Sequence, residues 1–185
     1  CTKHFLLIER ILDYQKKCLL YKLKSISNSY EIVDYFYDIN SFIMIVNTTY
    51  TDKEAARLID SHLGKQFSIM QRIKLKGIGS KRMIIHDVSP KLKQYLNTVD
   101  DLNYGSIELR PKGILIHIHK KLNSFSWIVP YYRLHIYMAG YFSIHANGNF
   151  IQFKKNKLFK ENKAFIEKMV AQKNTALNIT DYYDE

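Results

Sequence analysis

The chain has 185 residues, of which 46% are hydrophobic and 24% charged, and its formal net charge at pH 7 is +11. This length suffices for one domain or two small ones with a buried core, and the composition excludes a disordered chain. The longest apolar runs, such as residues 42–46 and 113–116, are far shorter than the ~20 residues that span a bilayer, so we expect no transmembrane segment. Cys1 and Cys18 provide no disulfide framework, which favours a reducing, cytoplasmic compartment.

Positive charge is concentrated in two segments of the chain. Residues 65–93 contain eight bases and one acid, and residues 110–168 contain eleven bases and two acids, whereas residues 26–64 are acidic. A field of one sign attracts polyanions, so the expected partners are an acidic lipid surface, an acidic protein or nucleic acid. The alternative is that Lys is simply the residue that this chain uses on its solvated surface, and composition does not decide between the two.

The first hundred residues predict an α+β half with the element order αββαββα. Apolar residues at helical spacing predict a first helix over residues 3–23, and strand-like patterns follow at residues 30–37 and 42–46. Thr51-Asp52-Lys53-Glu54 has the form of a capping box, which satisfies the free amides at the start of a helix. Gly64 is placed to end that helix.

A second pair of strands is predicted at residues 67–75 and 83–88, on either side of a basic loop over residues 76–82. Pro90 then begins a short helix, because proline suits the first helical turn. This helix completes the N-terminal half.

Composition predicts a domain boundary in the segment 97–105, which contains turn-forming and acidic residues. We therefore divide the chain into an N-terminal subdomain over residues 1–100 and a β-rich subdomain over residues 105–173. Residues 174–185 contain no base and end in Asp-Tyr-Tyr-Asp-Glu, which predicts a mobile acidic tail.

The second subdomain predicts about five antiparallel strands closed by a C-terminal helix. In strand 113–120 the isoleucines alternate with His117 and His119, so the histidines share the opposite face. Asn147-Gly148 is a strong signal for a type I′ hairpin. A helix near residues 158–172 carries an apolar stripe, and we expect it to pack on the sheet through Phe165, Ile166 and Met169.

Four histidines fall on the polar phase of the predicted strands, namely His117, His119, His135 and His145. Imidazoles that converge from neighbouring strands can hold a first-row metal, so a metal-dependent enzyme is one hypothesis. No Asp or Glu lies between Leu109 and Lys160 to complete such a site. A half-exposed sheet face is the alternative, and we expect no bound metal and no other cofactor.

The basic loop over residues 76–82 places flexible glycine amides beside the cations Lys76, Lys81 and Arg82, a combination that suits phosphate. It lacks the spacing of a P-loop and does not open a helix, so it is no nucleotide fingerprint. A nucleic-acid-binding protein that uses the basic segment 65–93 is therefore a second hypothesis, against the alternative of a solvated hairpin tip.

Aromatic residues cluster around Pro130, with Trp127 before it and Tyr131 and Tyr132 after it. Exposed aromatics can stack bases or line a peptide groove, and Pro favours an edge position, so these residues predict an interaction edge. The alternative is that they fill the core.

No catalytic motif is present that would predict an enzyme. Asp101 with Glu108-Leu-Arg110 only loosely matches the carboxylate pair and cation of metal-dependent nucleases, since Arg replaces the expected Lys. No serine lies in a nucleophile elbow, and neither cysteine lies in a reactive motif.

The order of elements from Ser106 to Lys173 resembles that of bacterial pleckstrin-homology-like and GRAM-like domains. The stretch Ile107-Glu-Leu-Arg-Pro-Lys-Gly-Ile-Leu-Ile-His is similar to their strand pair, and Trp127-Ile-Val-Pro-Tyr-Tyr-Arg is similar to their strand with an Ile/Val-Pro step. A hairpin and a C-terminal helix follow. The resemblance implies a non-enzymatic module for anionic headgroups or peptides, with binding cations at Arg110, Lys112, Lys120 and Lys121.

These observations favour a cytoplasmic, non-catalytic binding or scaffold protein for an acidic lipid headgroup or an acidic protein. The nucleic-acid-binding protein and the metal-dependent enzyme are the two alternatives.

Overall fold

The computed structural model describes residues 43–98 and 102–179. In these two segments the chain forms eight strands and five α-helices, which confirms the α+β class. The strands are β1 (Ile45–Asn47), β2 (Met83–Val88), β3 (Tyr104–Arg110), β4 (Gly113–Lys120), β5 (Asn123–Pro130), β6 (His135–Tyr137), β7 (Phe142–Ala146) and β8 (Asn149–Phe153). The helices are α1 (Lys53–Leu63), α2 (Ile69–Lys74), α3 (Pro90–Lys93), α4 (Lys157–Lys160) and α5 (Lys163–Ala176).

All eight strands belong to one sheet with the order β1-β5-β4-β3-β2-β8-β7-β6. Every neighbouring pair is antiparallel, as expected for residues 106–172. β2 pairs with β3 through its first residues and with β8 through its last. Strands from both sides of the boundary predicted at residues 97–105 therefore share the sheet.

The turn between β7 and β8 confirms the predicted hairpin. Asn147 and Gly148 separate the paired residues Ala146 and Asn149, and their φ angles are +51° and +71°. Positive φ at both central residues is the requirement of a type I′ turn, which Asn and Gly meet most easily.

The inner face of the sheet carries the main core. Ile114, Ile116 and Ile118 of β4 all point to this side, and each is at most 1% exposed. Phe165, Ile166 and Met169 of α5 are buried against it, which confirms the predicted closing helix. The predicted single helix is divided into α4 and α5, with the buried Asn162 between them.

The outer face carries a smaller core beneath α1. Ala55, Ile59 and Leu63 of this helix pack on a buried set of sheet residues, namely Val46, Leu115 and Ile128. Gly64 ends α1 with φ +78°, as predicted. The predicted cap at Thr51 is wrong by one residue, because Asp52 is the N-cap and its carboxylate accepts the amide of Glu54.

The strand predicted at residues 67–75 is wrong, because residues 69–74 form helix α2. Ser68 begins this helix with a capping box: its hydroxyl accepts the amide of Gln71, and the Gln71 side chain accepts the amide of Ser68. Two otherwise unpaired donors are satisfied in this way, which stabilises a helix start over an extended chain.

Several predicted elements lie outside the described residues, namely the helix over residues 3–23, the strand over residues 30–37 and the last residues of the acidic tail. Residues 174–176, also assigned to the tail, belong to α5. The helices that the structure describes include none of the length and apolarity needed to cross a bilayer.

We expect Gly113→Ala to lower the free energy of unfolding by about 3 kcal/mol, because extra atoms in a filled core force the backbone apart. A Cβ atom on Gly113 would lie 2.6 Å from Leu63 Cδ2 and 2.8 Å from Pro130 Cα, and it would also clash with the carbonyl oxygen of Val129. The shift of the urea midpoint at unchanged slope measures this loss.

Gly140→Ala is the matched control, because a Cβ at that position has no heavy atom within 4 Å. Its free energy of unfolding should stay within about 0.5 kcal/mol of the wild type. Equal midpoints for the two variants would contradict the close approach of α1 and β4.

Candidate binding surfaces

The cations assigned by resemblance to one headgroup site lie at opposite ends of β4. Arg110 and Lys112 adjoin the β3–β4 turn, whereas Lys120 and Lys121 adjoin the β4–β5 turn. A strand of eight residues spans about 23 Å between its ends, given a rise of ~3.3 Å per residue. The structure therefore does not bring these four side chains together.

Arg110 is buried and neutralised, although its sequence position indicated a surface cation. Its Nη1 donates a hydrogen bond to Asp60 Oδ1 at 3.2 Å, and its Nε lies 2.8 Å from Glu108 Oε1. The Nε–H bond does not point at that oxygen, so the second contact is an ion pair without a hydrogen bond. With two carboxylates around it, Arg110 serves the junction of α1 and β3.

A polar network continues from Glu108 across the outer face of the sheet. His117 Nε2 lies 3.4 Å from Glu108 Oε2, and His117 Nδ1 lies 2.8 Å from Ser126 Oγ. The next hydroxyl is Thr48 Oγ1, 2.8 Å from Ser126 Oγ. The order carboxylate, imidazole, hydroxyl is the one found in catalytic triads, where the base activates the nucleophile.

The hydroxyl of this network has no access to a substrate. Ser126 is 0% exposed, and its oxygen is engaged by both His117 and Thr48. Burial alone would raise the pKa of Glu108, but the hydrogen bond with His117 and the charge of Arg110 outweigh it and lower that pKa below 4.5. The network thus binds three strands and α1 together around an ionised carboxylate.

The four histidines form two separate pairs. His117 and His119 lie on β4, whereas His135 and His145 are register partners on β6 and β7. β3, β2 and β8 lie between β4 and β7, which corresponds to about 19 Å at ~4.8 Å per strand. Within residues 43–98 and 102–179, no group of three or more His, Cys, Asp or Glu side chains is arranged to hold a metal ion.

The basic loop over residues 76–82 uses its backbone to join the rest of the fold. The amide of Ser80 donates to the carbonyl of Ile107, and the amide of Lys81 donates to Asn162 Oδ1. The Lys81 ammonium lies 3.0 Å from Glu161 Oε2. The loop amides of Ser80 and Lys81 and the Lys81 ammonium, which were predicted to bind phosphate, are thus already paired within the protein. Lys76 and Arg82 are exposed.

Only one of the three aromatic residues predicted to form an interaction edge around Pro130 lies at the surface. Trp127 is 1% exposed and Tyr131 is 2% exposed, so both fill the core. β1 pairs with Phe125, Ser126 and Trp127 on the side of β5 away from β4, so this part of β5 is no edge. Tyr132 alone of the three is exposed, and the Arg133 guanidinium lies 5.1 Å from its ring centre.

Helix α2 presents an exposed apolar surface that the sequence analysis missed. Ile69, Met70 and Ile73 are 75%, 67% and 67% exposed, and none of the six residues of α2 is buried. Ile73 lies four residues after Ile69 and three after Met70, and side chains at these two spacings are neighbours on a helix, so the three side chains form one patch. The signal in the sequence was Ser68 with Gln71, the pattern of a capping box.

The sequence around this patch is rich in cations and contains no acid. Residues 61–86 contain six Lys and Arg residues and no Asp or Glu. Lys65, Lys74 and Lys76 are exposed. We call Ile69, Met70 and Ile73, together with these three lysines, the α2 surface.

Lys168 of α5 holds the far end of α2 in place. Its ammonium donates to the carbonyl oxygens of Leu75 and Gly77, both at 2.6 Å. Burial and the nearby charge of Lys76 lower the pKa of Lys168, although its contacts with carbonyls at a helix C-terminus favour the charged form.

No protein-family model matches this chain, and no curated protein or solved structure matches it either. The resemblance of residues 106–173 to pleckstrin-homology-like domains therefore stays a prediction.

We expect Glu108→Gln to lower the free energy of unfolding by about 2 kcal/mol at pH 7, because the buried Arg110 loses a charged partner. The lowered pKa of Glu108 means that its carboxylate stabilises the fold above pH 4.5 and that this contribution is lost as pH falls through the folded-state pKa. Urea unfolding from pH 7 downward should show the two proteins converging in acid.

Glu161→Gln is the control, since it makes the same change in the exposed pair with Lys81. Its effect at pH 7 should be below about 1 kcal/mol. A difference between wild type and Glu108→Gln that persists unchanged in acid would contradict an ionised, stabilising Glu108.

Proposed function

We propose that this protein is a non-catalytic module that binds an acidic membrane surface through the α2 surface. The observation that carries the proposal is a helix without a single buried residue that directs Ile69, Met70 and Ile73 into solvent among lysines. A helix of this kind gains little from the protein core, and its apolar face has no partner among the residues that the structure describes.

The physical chemistry of the α2 surface fits a bilayer interface. Burial of apolar side chains contributes about 25 cal/mol per Å², so partial insertion of three large side chains contributes a few kcal/mol. Each Lys near an anionic surface adds about 1 kcal/mol. Either contribution alone gives weak, reversible binding, and the two together give stable attachment.

Two neighbouring groups strengthen the positive field at this site. The Lys168 ammonium covers carbonyls at the C-terminus of α2, so the negative end of the helix dipole is compensated. Lys112, one of the cations implied by the family resemblance, is exposed and adjoins Gly64, next to Lys65. The ligand class, an anionic lipid headgroup, is therefore the one that the family resemblance implies, but the residues proposed to bind it belong to the α2 surface and do not include Arg110.

We expect a triple variant, Ile69→Ser, Met70→Ser and Ile73→Ser, to bind vesicles that contain phosphatidylserine about a hundredfold more weakly than the wild type. Each side chain that enters the interface contributes about 1 kcal/mol to the free energy of binding, and about 1.4 kcal/mol corresponds to a factor of ten in affinity. Co-sedimentation with vesicles measures the partitioning, and binding should also weaken as salt rises and on pure phosphatidylcholine.

Leu122→Ser is the matched control. Leu122 is 94% exposed and follows two lysines, but it lies at the β4–β5 turn. This variant should bind like the wild type. Unchanged binding of the triple variant would contradict the role of α2, and selective capture of a soluble acidic polypeptide, with no vesicle binding, would favour the acidic protein as partner.

A further inference from the structure

A second unassigned surface lies on the outer face of the other half of the sheet. Five rings form it, and we call them the aromatic strip: His86, Tyr137, Tyr141, His145 and Phe150. The His86 and Tyr141 rings are stacked at 4.1 Å and 11°. His145 contacts Tyr137 edge-on at 4.8 Å and Phe150 in a stacked arrangement at 5.5 Å.

The strip does not belong to either core. β7 and β8 direct Ile144 and Ile151 to the inner face, so alternation places His145, Phe150 and their neighbour Tyr137 on the opposite side. Tyr141 precedes β7 and His86 lies at a register shift in β2, and these two rings stack on each other. Tyr137 is 54% exposed and Tyr141 is 40% exposed, and His86 is exposed as well. Part of each of these side chains is therefore open to solvent, while one face of Tyr141 is covered by the stacked His86 ring.

Negative charge is scarce around the strip. No Asp or Glu occurs between Leu109 and Lys160, so β6, β7 and β8 carry no carboxylate. Lys154 is exposed and follows directly on β8, whose last residue, Phe153, is paired with Phe142 of β7. Asp87 of β2 is the acid nearest in register, and one of its oxygens accepts the amide of Val88.

The histidine at the centre of the strip remains an uncharged aromatic ring at neutral pH. Burial, assisted by the neighbouring His135, lowers the pKa of His145 below 6.5. A neutral imidazole between Tyr137 and Phe150 extends the apolar stacking surface, whereas an imidazolium would retain its water.

We propose that the aromatic strip binds single-stranded nucleic acid by stacking of bases on Tyr137 and Tyr141, with the phosphates near Lys154. Aromatic rings on an antiparallel sheet within a positive field are the usual platform for unpaired bases. A duplex cannot present its base faces to such a platform, so single strands are the preferred ligand. This surface is separate from the α2 surface, and the inference goes beyond the proposed membrane binding.

The test measures fluorescence anisotropy of a labelled oligothymidylate with the full chain. Tyr137→Leu and Tyr141→Leu keep an apolar side chain but remove the ring, and each should weaken binding about tenfold. Tyr137→Phe keeps the ring and should retain the wild-type affinity. Tyr50→Leu is the matched control, because Tyr50 is 84% exposed and follows β1 at the opposite edge of the sheet.

The proposal predicts weaker binding of a duplex of the same length and an affinity that falls as salt rises. Vesicle binding by the two leucine variants should equal that of the wild type, which shows that they are folded and separates this inference from the membrane proposal. Equal affinity for duplex and single strand, equal loss in Tyr50→Leu, or no binding at low salt would each overturn it. Capture of a protein partner by the strip in place of the oligonucleotide would overturn it as well.

Discussion

The rest of the structure depends on the register of strand β4, which is fixed because both faces of this strand pack against other parts of the fold. Its isoleucines enter the main core, and the alternate residues Leu115 and His117 face α1 and the polar network. A slip of one residue would exchange these two sets and bury histidines among isoleucines. Since β3 and β5 pair along nearly all of β4, its register fixes theirs.

The outer face of the sheet is divided by this arrangement into zones with different roles. α1 covers an apolar zone, and next to it the ion pairs of Arg110 and Glu108 fix the helix to the sheet. The aromatic strip lies across the β2, β8, β7 and β6 half of the sheet. The role of a polar residue on the outer face thus depends on its distance from α1. The alternation of residues along a strand shows which face a residue lies on, but it does not show this role.

Alternation, turn residues and the amphipathic closing helix were readable from the sequence, because each is a local signal. Residues 67–75 show why such signals also mislead: Phe67, Ile69, Ile73 and Leu75 fit the two-residue period of a strand. The capping box at Ser68 favours the helix, and the apolar residues of this helix are exposed, so no packing against the core identifies them.

The candidate sites were harder to predict, because they depend on strand order and on contacts between distant residues. His117 and His145 share the polar phase of their strands, yet three strands separate them. Arg110 had the position of a surface cation until α1 placed Asp60 against it, 50 residues away in the chain. Long-range pairing of this kind leaves no mark in local composition.

The contact between Lys168 and α2 has a consequence for the order in which the protein is assembled. The ammonium that holds the Leu75 carbonyl lies 93 residues further along the chain. On the ribosome, where the N-terminal side emerges first, α2 is complete long before this tether is synthesised. The apolar residues of α2 therefore leave the ribosome before the residue that ties the end of this helix to α5, and the contact is completed only when α5 has been synthesised.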